Sequence, residues 1–238
     1  MMANALLDDL LDTRLPRGLG GLFYGVYPAT VTKIKDDSSQ GRVRIKLPWS
    51  PDDTGSGYEA WARVATLMAG NNRGSWFMPD VGDEVLVAFS GGNPAAPFVL
   101  GMLWNGKDAP PESMDGAEKN DIKKIRSRNG VAITLDDKQG QEQFIVETPG
   151  GNKVTLKDGP GSIEFKDSNG STVTLDSSGV SVQTSSTVQV HASSVTVTAS
   201  TVTVNAGMAS FSGTVQCSTL IATSVVGTSY TPGAGNMW

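Results

Sequence analysis

Valines recur in pairs through the C-terminal half of the chain: Val180/Val182, Val188/Val190, Val195/Val197 and Val202/Val204. The spacing within a pair is two, the period of a strand with one buried face. Each pair follows the last by seven or eight residues, and the intervening Ser, Thr and Asn favour turns. No Asp, Glu, Lys or Arg follows Asp176, a loss of charge that ordinary globular domains do not show. A disordered Ser/Thr linker would share that composition, but it has no reason to keep a strand period. Strands this short must bury their valines against a neighbouring repeat. Such brief repeats suit a triangular prism wound from three identical chains, each supplying one short strand per step. The eight valines are therefore expected to form the core of a needle.

Upstream, the alternation belongs to a different structure. Five strands are expected over 24–35, 42–47, 59–67, 84–89 and 98–104. In the second, Val43, Ile45 and Leu47 alternate with Arg42, Arg44 and Lys46, giving one buried and one charged face. Turns rich in Asp, Ser and Gly separate the early strands. Five short strands in about eighty residues suggest a Greek-key barrel of the OB type. Beyond it, residues 107–128 read as a charged linker. Strands are then expected over 131–135, 143–147, 153–156, 162–165 and 172–175. Near the N-terminus, Leu6, Leu7, Leu10 and Leu11 follow helical spacing opposite Asp8, Asp9 and Asp12. This short helix is expected either to fray or to dock as an arm.

Composition narrows the function classes. The formal net charge is −5, which argues against a nucleic-acid groove. An OB barrel that binds single strands needs positive charge beside its stacking aromatics, and none gathers around Trp49, Trp61, Trp76 or Phe77. The single cysteine, Cys217, excludes an internal disulfide, and strand parity puts it on the buried face with Val215. The only histidine, His191, lies within the repeat and is expected to face outward, so no Ser-His-Asp triad is built on it. Asp36-Asp37 and Asp52-Asp53 are consecutive turn acids, not a carboxylate pair across a cleft. No catalytic, cofactor or metal residues are expected. Neither a secretory signal nor a membrane-spanning run is evident.

The run from Arg63 to Gly106 resembles the OB domain of the baseplate assembly protein V and VgrG family, the central spikes of contractile phage tails, injection particles and type VI secretion systems. Trp61, the Arg73-Gly74-Ser75-Trp76 loop, Pro79, Gly82-Asp83-Glu84-Val85, and Gly101 leading to Trp104 carry the resemblance, with order and spacing counting for more than any one piece. Thr148–Asn152 and Asp167–Gly170 resemble the opening of the family's β-prism. The resemblance implies an all-β homotrimer: an OB-fold barrel followed by an intertwined triple-stranded β-helix needle. The organisation expected is an N-terminal arm (1–21), OB domain (22–106), linker (107–128), β-helical needle (129–230) and tip segment (231–238).

The function implied is a non-enzymatic spike at the centre of a baseplate, driven through a target envelope when the sheath contracts. Its place is a virion or phage-tail-like particle, assembled in the producing cell's cytoplasm. The room before the barrel suggests that the hub is a separate protein. Some family spikes end in a His-x-His iron site, which this chain lacks, so no metal is expected. A PAAR-type protein is expected to cap the far end, where Val225, Val226, Tyr230, Met237 and Trp238 would meet it. Two other readings remain: a trimeric tail fibre binding a receptor, and an OB-type nucleic-acid binder.

Overall fold

The computed structural model describes residues 22–50 and 56–229. The expected N-terminal helix, together with Tyr230, Met237 and Trp238, lies outside them. The chain divides into two compact units between Thr187 and Val188.

Within the first unit, β1 (Val26–Lys33), β2 (Arg42–Leu47) and β3 (Tyr58–Val64) form a meander. A two-residue hairpin follows, β4 (Ala69–Gly70) with β5 (Arg73–Gly74), and then β6 (Glu84–Phe89) and β7 (Pro97–Leu103). The barrel closes in the order β1-β2-β3-β7-β6, with β6 returning to β1. Only β3 and β7 run parallel. This is the OB arrangement that strand number and length suggested. Its core follows directly from alternation: Val43, Ile45, Leu47, Val85, Val87 and Val99 are fully buried, while Arg44 between them is exposed. Each such side chain contributes roughly 1.5–3 kcal/mol by leaving water. Leu86 pairs with Gly101 and Val87 with Val99, so Leu100 is an extra residue that bulges β7.

An aromatic group closes one end of the core. Tyr27 stacks on Trp49 with ring centroids 4.9 Å apart, and Phe23 meets Phe89 at 5.0 Å. The Trp49 indole N–H donates to the Pro28 carbonyl at 3.1 Å, which gives the polar atom of this half-buried ring a partner. The chain enters the cluster over Gly92, whose φ is +79°. A Cβ there would stand 3.0 Å from Leu22 Cβ and 3.2 Å from Tyr24 Cε1, so both conformation and space call for glycine.

After the barrel come β8 (Ile122–Arg126), β9 (Ala132–Asp136), β10 (Gln143–Glu147), β11 (Lys153–Lys157), β12 (Ser162–Lys166), β13 (Thr172–Asp176) and β14 (Gly179–Gln183). They form one sheet in sequence order, each strand antiparallel to the next. Turn acids set the hairpins. The Asp167 carboxylate accepts N–H bonds from Asn169 at 3.0 Å and Ser171 at 2.7 Å, and these bonds hold it below the usual carboxylate range.

Two expectations are corrected here. The end of the segment read as a 107–128 linker is strand β8. Its Lys123, Lys124 and Arg126 hid a strand that pairs Ile125 with Ile133. Val180 and Val182, read as the first pair of the stacked repeat, belong instead to β14. That strand pairs antiparallel with β13 of the same chain. The remaining valine pairs lie in the second unit, whose described residues 188–229 form no strand within the single chain.

Candidate functional site

The seven-stranded sheet sorts its side chains by the period of two. Pair by pair, Leu135 lies opposite Phe144, Phe144 opposite Leu156, Leu156 opposite Ile163, Ile163 opposite Leu175, and Leu175 opposite Val180. Two residues along, a second row joins Ile125, Ile133, Val146, Val154, Phe165, Val173 and Val182. One face of the sheet is thus an apolar ladder two residues wide. The other carries Thr134, Ile145, Thr155, Glu164, Thr174 and Ser181 in register, polar but for Ile145, with Lys153 and Lys157 on β11.

The ladder is open to solvent along the sheet, and in β9 the opposite face is the buried one. Leu135, Phe144, Leu156, Ile163 and Leu175 are 37–46% exposed and Val180 is 72% exposed, whereas Ala132 and Thr134 on the polar face are 3% and 7%. A contiguous apolar strip of this kind marks a surface built to be covered. Nothing else in the described chain covers it. The valines of the second unit are equally bare: Val188, Val190, Val195, Val197, Val202 and Val204 all stand among the exposed apolar residues. Cys217, expected on a buried face, is exposed in the single chain, as is His191, whose ring nitrogen lies 3.2 Å from Gln189 Oε1.

The barrel residues that carried the resemblance fall into two groups. Val85 and Pro79 are buried, and Gly82 takes a φ of +100° at the entry to β6. There the Gly82 N–H donates to Val31 O at 2.9 Å, and the Asp83 carboxylate accepts the Asp80 N–H at 2.8 Å. Gly101 sits at the β7 bulge. Contrary to the expectation that no positive charge gathers there, Trp61 lies beneath two cations, with Arg42 5.5 Å and Lys33 5.6 Å from its ring centroid, because strand pairing across β1 and β2 brings them to it. These residues shape the barrel. Arg73, Gly74, Trp76 and Trp104 are exposed. Trp76, with Met68 and Phe77, makes an apolar rim on an open cleft of about 670 Å³ between the 64–78 segment and Ser39–Gly41.

Charge around the site is structural. Asp36 accepts N–H bonds from Ser38 and Gln40, each at 3.0 Å, and a two-point bond from the Arg42 guanidinium at 2.9 and 3.0 Å. That guanidinium holds the carboxyl far below the usual carboxylate range. Lys124 bridges to Glu112 at 2.7 Å and lowers its pKa. Arg128 meets Asp80 at 2.9 Å, an exposed pair that contributes little. Among the described residues, no group of three His, Cys, Asp or Glu side chains is arranged to hold a metal. No described helix is long and apolar enough to cross a membrane.

A closed OB barrel followed by a sheet with an uncovered apolar face defines a spike-type pair of domains. The chain carries two domains of the phage-baseplate V type: residues 27–104 match the type VI secretion system/phage-baseplate injector OB domain, and residues 143–209 match the phage baseplate V C-terminal trimerisation domain. It is 31% identical over 113 residues to the type VI secretion system spike protein VgrG1b of Pseudomonas aeruginosa, and 33% identical over 111 residues to VgrG4b of the same organism. Over 110 residues it is 27% identical to the actin cross-linking toxin VgrG1 of Vibrio cholerae. Each match covers 44% of this chain but only 15%, 14% and 10% of those proteins, respectively.

The apolar ladder is the feature that single-sequence reading resolved only in part. The strands of β9 to β13 were expected, but their shared apolar face was not. Its signal was present in the two-residue spacing of Phe144/Val146, Val154/Leu156 and Ile163/Phe165.

Proposed function

We propose that this chain is the structural central spike of a contractile injection baseplate, working as a homotrimer. The observation that carries this reading is the exposed apolar ladder of the sheet, in which Leu135, Phe144, Leu156, Ile163 and Leu175 are 37–46% exposed. Three copies arranged around one axis would turn the ladders and the later valine pairs inward and give each a dry partner. The match to a trimerisation domain over 143–209 spans most of that ladder. In this reading Val180, Val182, Val188, Val190, Val195, Val197, Val202 and Val204 line the needle axis as a β-prism.

The function is mechanical and not enzymatic. Sheath contraction supplies the energy, and the needle transmits it to a target envelope without buckling. Stacking strands from three chains pairs backbone groups along the shaft and leaves few free edges. A hub protein joins at the barrel end, where Trp76 and Phe77 offer apolar contact. A PAAR-type protein caps the far end of the needle, where Val226 stands exposed. The spike's place is the axis of a virion or phage-tail-like particle.

The test is to tag the chain, purify contractile particles from producing cells and image them. Tag density on the baseplate axis, together with loss of injection on deletion of the gene, supports the reading. Tag density on peripheral fibres would replace it with a receptor-binding role.

A further inference from the structure

The second unit bends at regular places, and the interval between bends shortens along the chain. Bends fall at Ser193, Ser200, Gly207, Ser212–Gly213, Ser218, Thr223 and Thr228. Counted from the last residue of each bend, the steps are seven, seven, six, five, five and five residues. One rule of position holds throughout. The residues two and four places after a bend are Val195 and Val197, then Val202 and Val204, and Ala209 and Phe211. In the short steps they are Val215 and Cys217, Leu220 and Ala222, and Val225 and Gly227.

Exposure separates this register from its neighbours. The large apolar side chains at those positions, from Val195 to Val225, are 62–72% exposed. Met208, Ile221 and Val226 fall off them and are 84–97% exposed. The second position of each pair also shrinks where the steps are short. Valine and phenylalanine give way to Cys217, Ala222 and Gly227. Smaller side chains are what a narrower interior accepts, because packed interiors leave no room for excess volume.

We infer that the trimeric shaft continues beyond residue 209, where the match to the trimerisation domain ends, as a tapering point built from three copies of this chain. The inference rests on the homotrimer proposed above. In such a prism each chain lays one step along one face and turns the corner at a bend, so step length sets the width of the face. A step two residues shorter removes about 7 Å from each side, at ~3.3 Å per residue. The occupants of the Val215, Leu220 and Val225 positions are therefore the same residues of two further copies. Ile221 and Val226 remain on the outer surface. Val226, expected among the tip contacts with Val225, thus faces away from the axis.

Distances between corners test this directly in the full chain. Ser193→Cys and Thr223→Cys are each made in a Cys217→Ser background, spin-labelled, and measured by pulsed dipolar spectroscopy. Ser200→Cys and Ser218→Cys provide an independent pair should either first variant fail to assemble. The taper predicts one sharp distance at each site, shorter by about 7 Å at Thr223 than at Ser193. Equal distances at both sites would overturn the taper and leave the trimer standing. A sharp distance at Ser193 with a broad spread at Thr223 would also overturn it, by showing that the chains separate before the point. No dipolar coupling at either site, in a sample that sediments as a single chain, would remove the trimer itself.

Discussion

Leu175 and Val180 lie directly opposite one another across the β13–β14 hairpin, on the face that carries Ile163, Leu156 and Phe144. That pairing joins two patterns that look unrelated along the chain. The apolar ladder of the charged sheet and the valine pairs of the uncharged repeat obey the same two-residue period, and Val180/Val182 close the ladder just before the repeat begins. A covering surface for the first is the natural start of a covering surface for the second.

Charge on the ladder will break the assembly, and charge on the opposite face will not. Leu156→Asp puts a carboxylate in each of three copies against apolar neighbours, at several kcal/mol per unpaired group. Thr155→Asp, one residue away, points to the polar side. Sedimentation velocity is expected to show loss of trimer for the first and a native trimer for the second. The same contrast is expected in the needle between Val197→Asp and Thr196→Asp. Equal behaviour within either pair would contradict the assignment of faces.

Acid will weaken the barrel partly through Asp36. Its carboxyl titrates far below the usual range because the Arg42 guanidinium is bound to it, with backbone N–H groups adding to the effect. A depressed folded-state pKa gives stability that is complete above the unfolded value, near 3.9. It is lost as pH falls from there toward the folded value. Wild-type protein is expected to melt higher than Asp36→Asn at pH 6, with the gap narrowing steadily below about pH 4. A gap that stays constant down to pH 2 would show that the Asp36–Arg42 pair does not carry this stability.

Gly92→Ala is expected to cost about 1–3 kcal/mol. The new Cβ would crowd Leu22 and Tyr24 in addition to the positive φ. Gly91→Ala, with φ +56° and nothing within 4 Å of a built Cβ, is expected to cost about 1–2 kcal/mol. Chemical denaturation of the two variants would reveal the difference. A reversed order would mean that the chain's entry over Gly92 is not held as described.

Truncation after Val226 is expected to leave trimers intact while abolishing capture of a co-expressed PAAR-type protein. Pull-down and sedimentation of the same sample separate these effects. Full capture by the truncated chain would place the cap contact upstream.

Much of this was legible in the sequence because alternation is a strong signal where one face is buried. Val43, Ile45 and Leu47 fixed β2 to the residue, and Gln143–Glu147 fixed β10. The strand β8 escaped because Lys123, Lys124 and Arg126 gave it the look of a solvated charged segment. The hairpin of β4 and β5 escaped because two residues are too few for any period. Val180/Val182 were read with the repeat because spacing alone does not reveal a partner strand, and here the partner is β13 of the same chain. Exposure of Trp76 and Phe77 was equally hidden, since an aromatic in a glycine-rich loop packs or projects according to tertiary contacts alone.

The central claim is that three copies bury the ladder together. Sedimentation equilibrium across a wide concentration range tests it most directly. A chain of 24.9 kDa is expected to sediment as a single species of about 75 kDa, with no folded monomer at the lowest concentration. A compact, cooperatively melting species of 24.9 kDa would contradict the account.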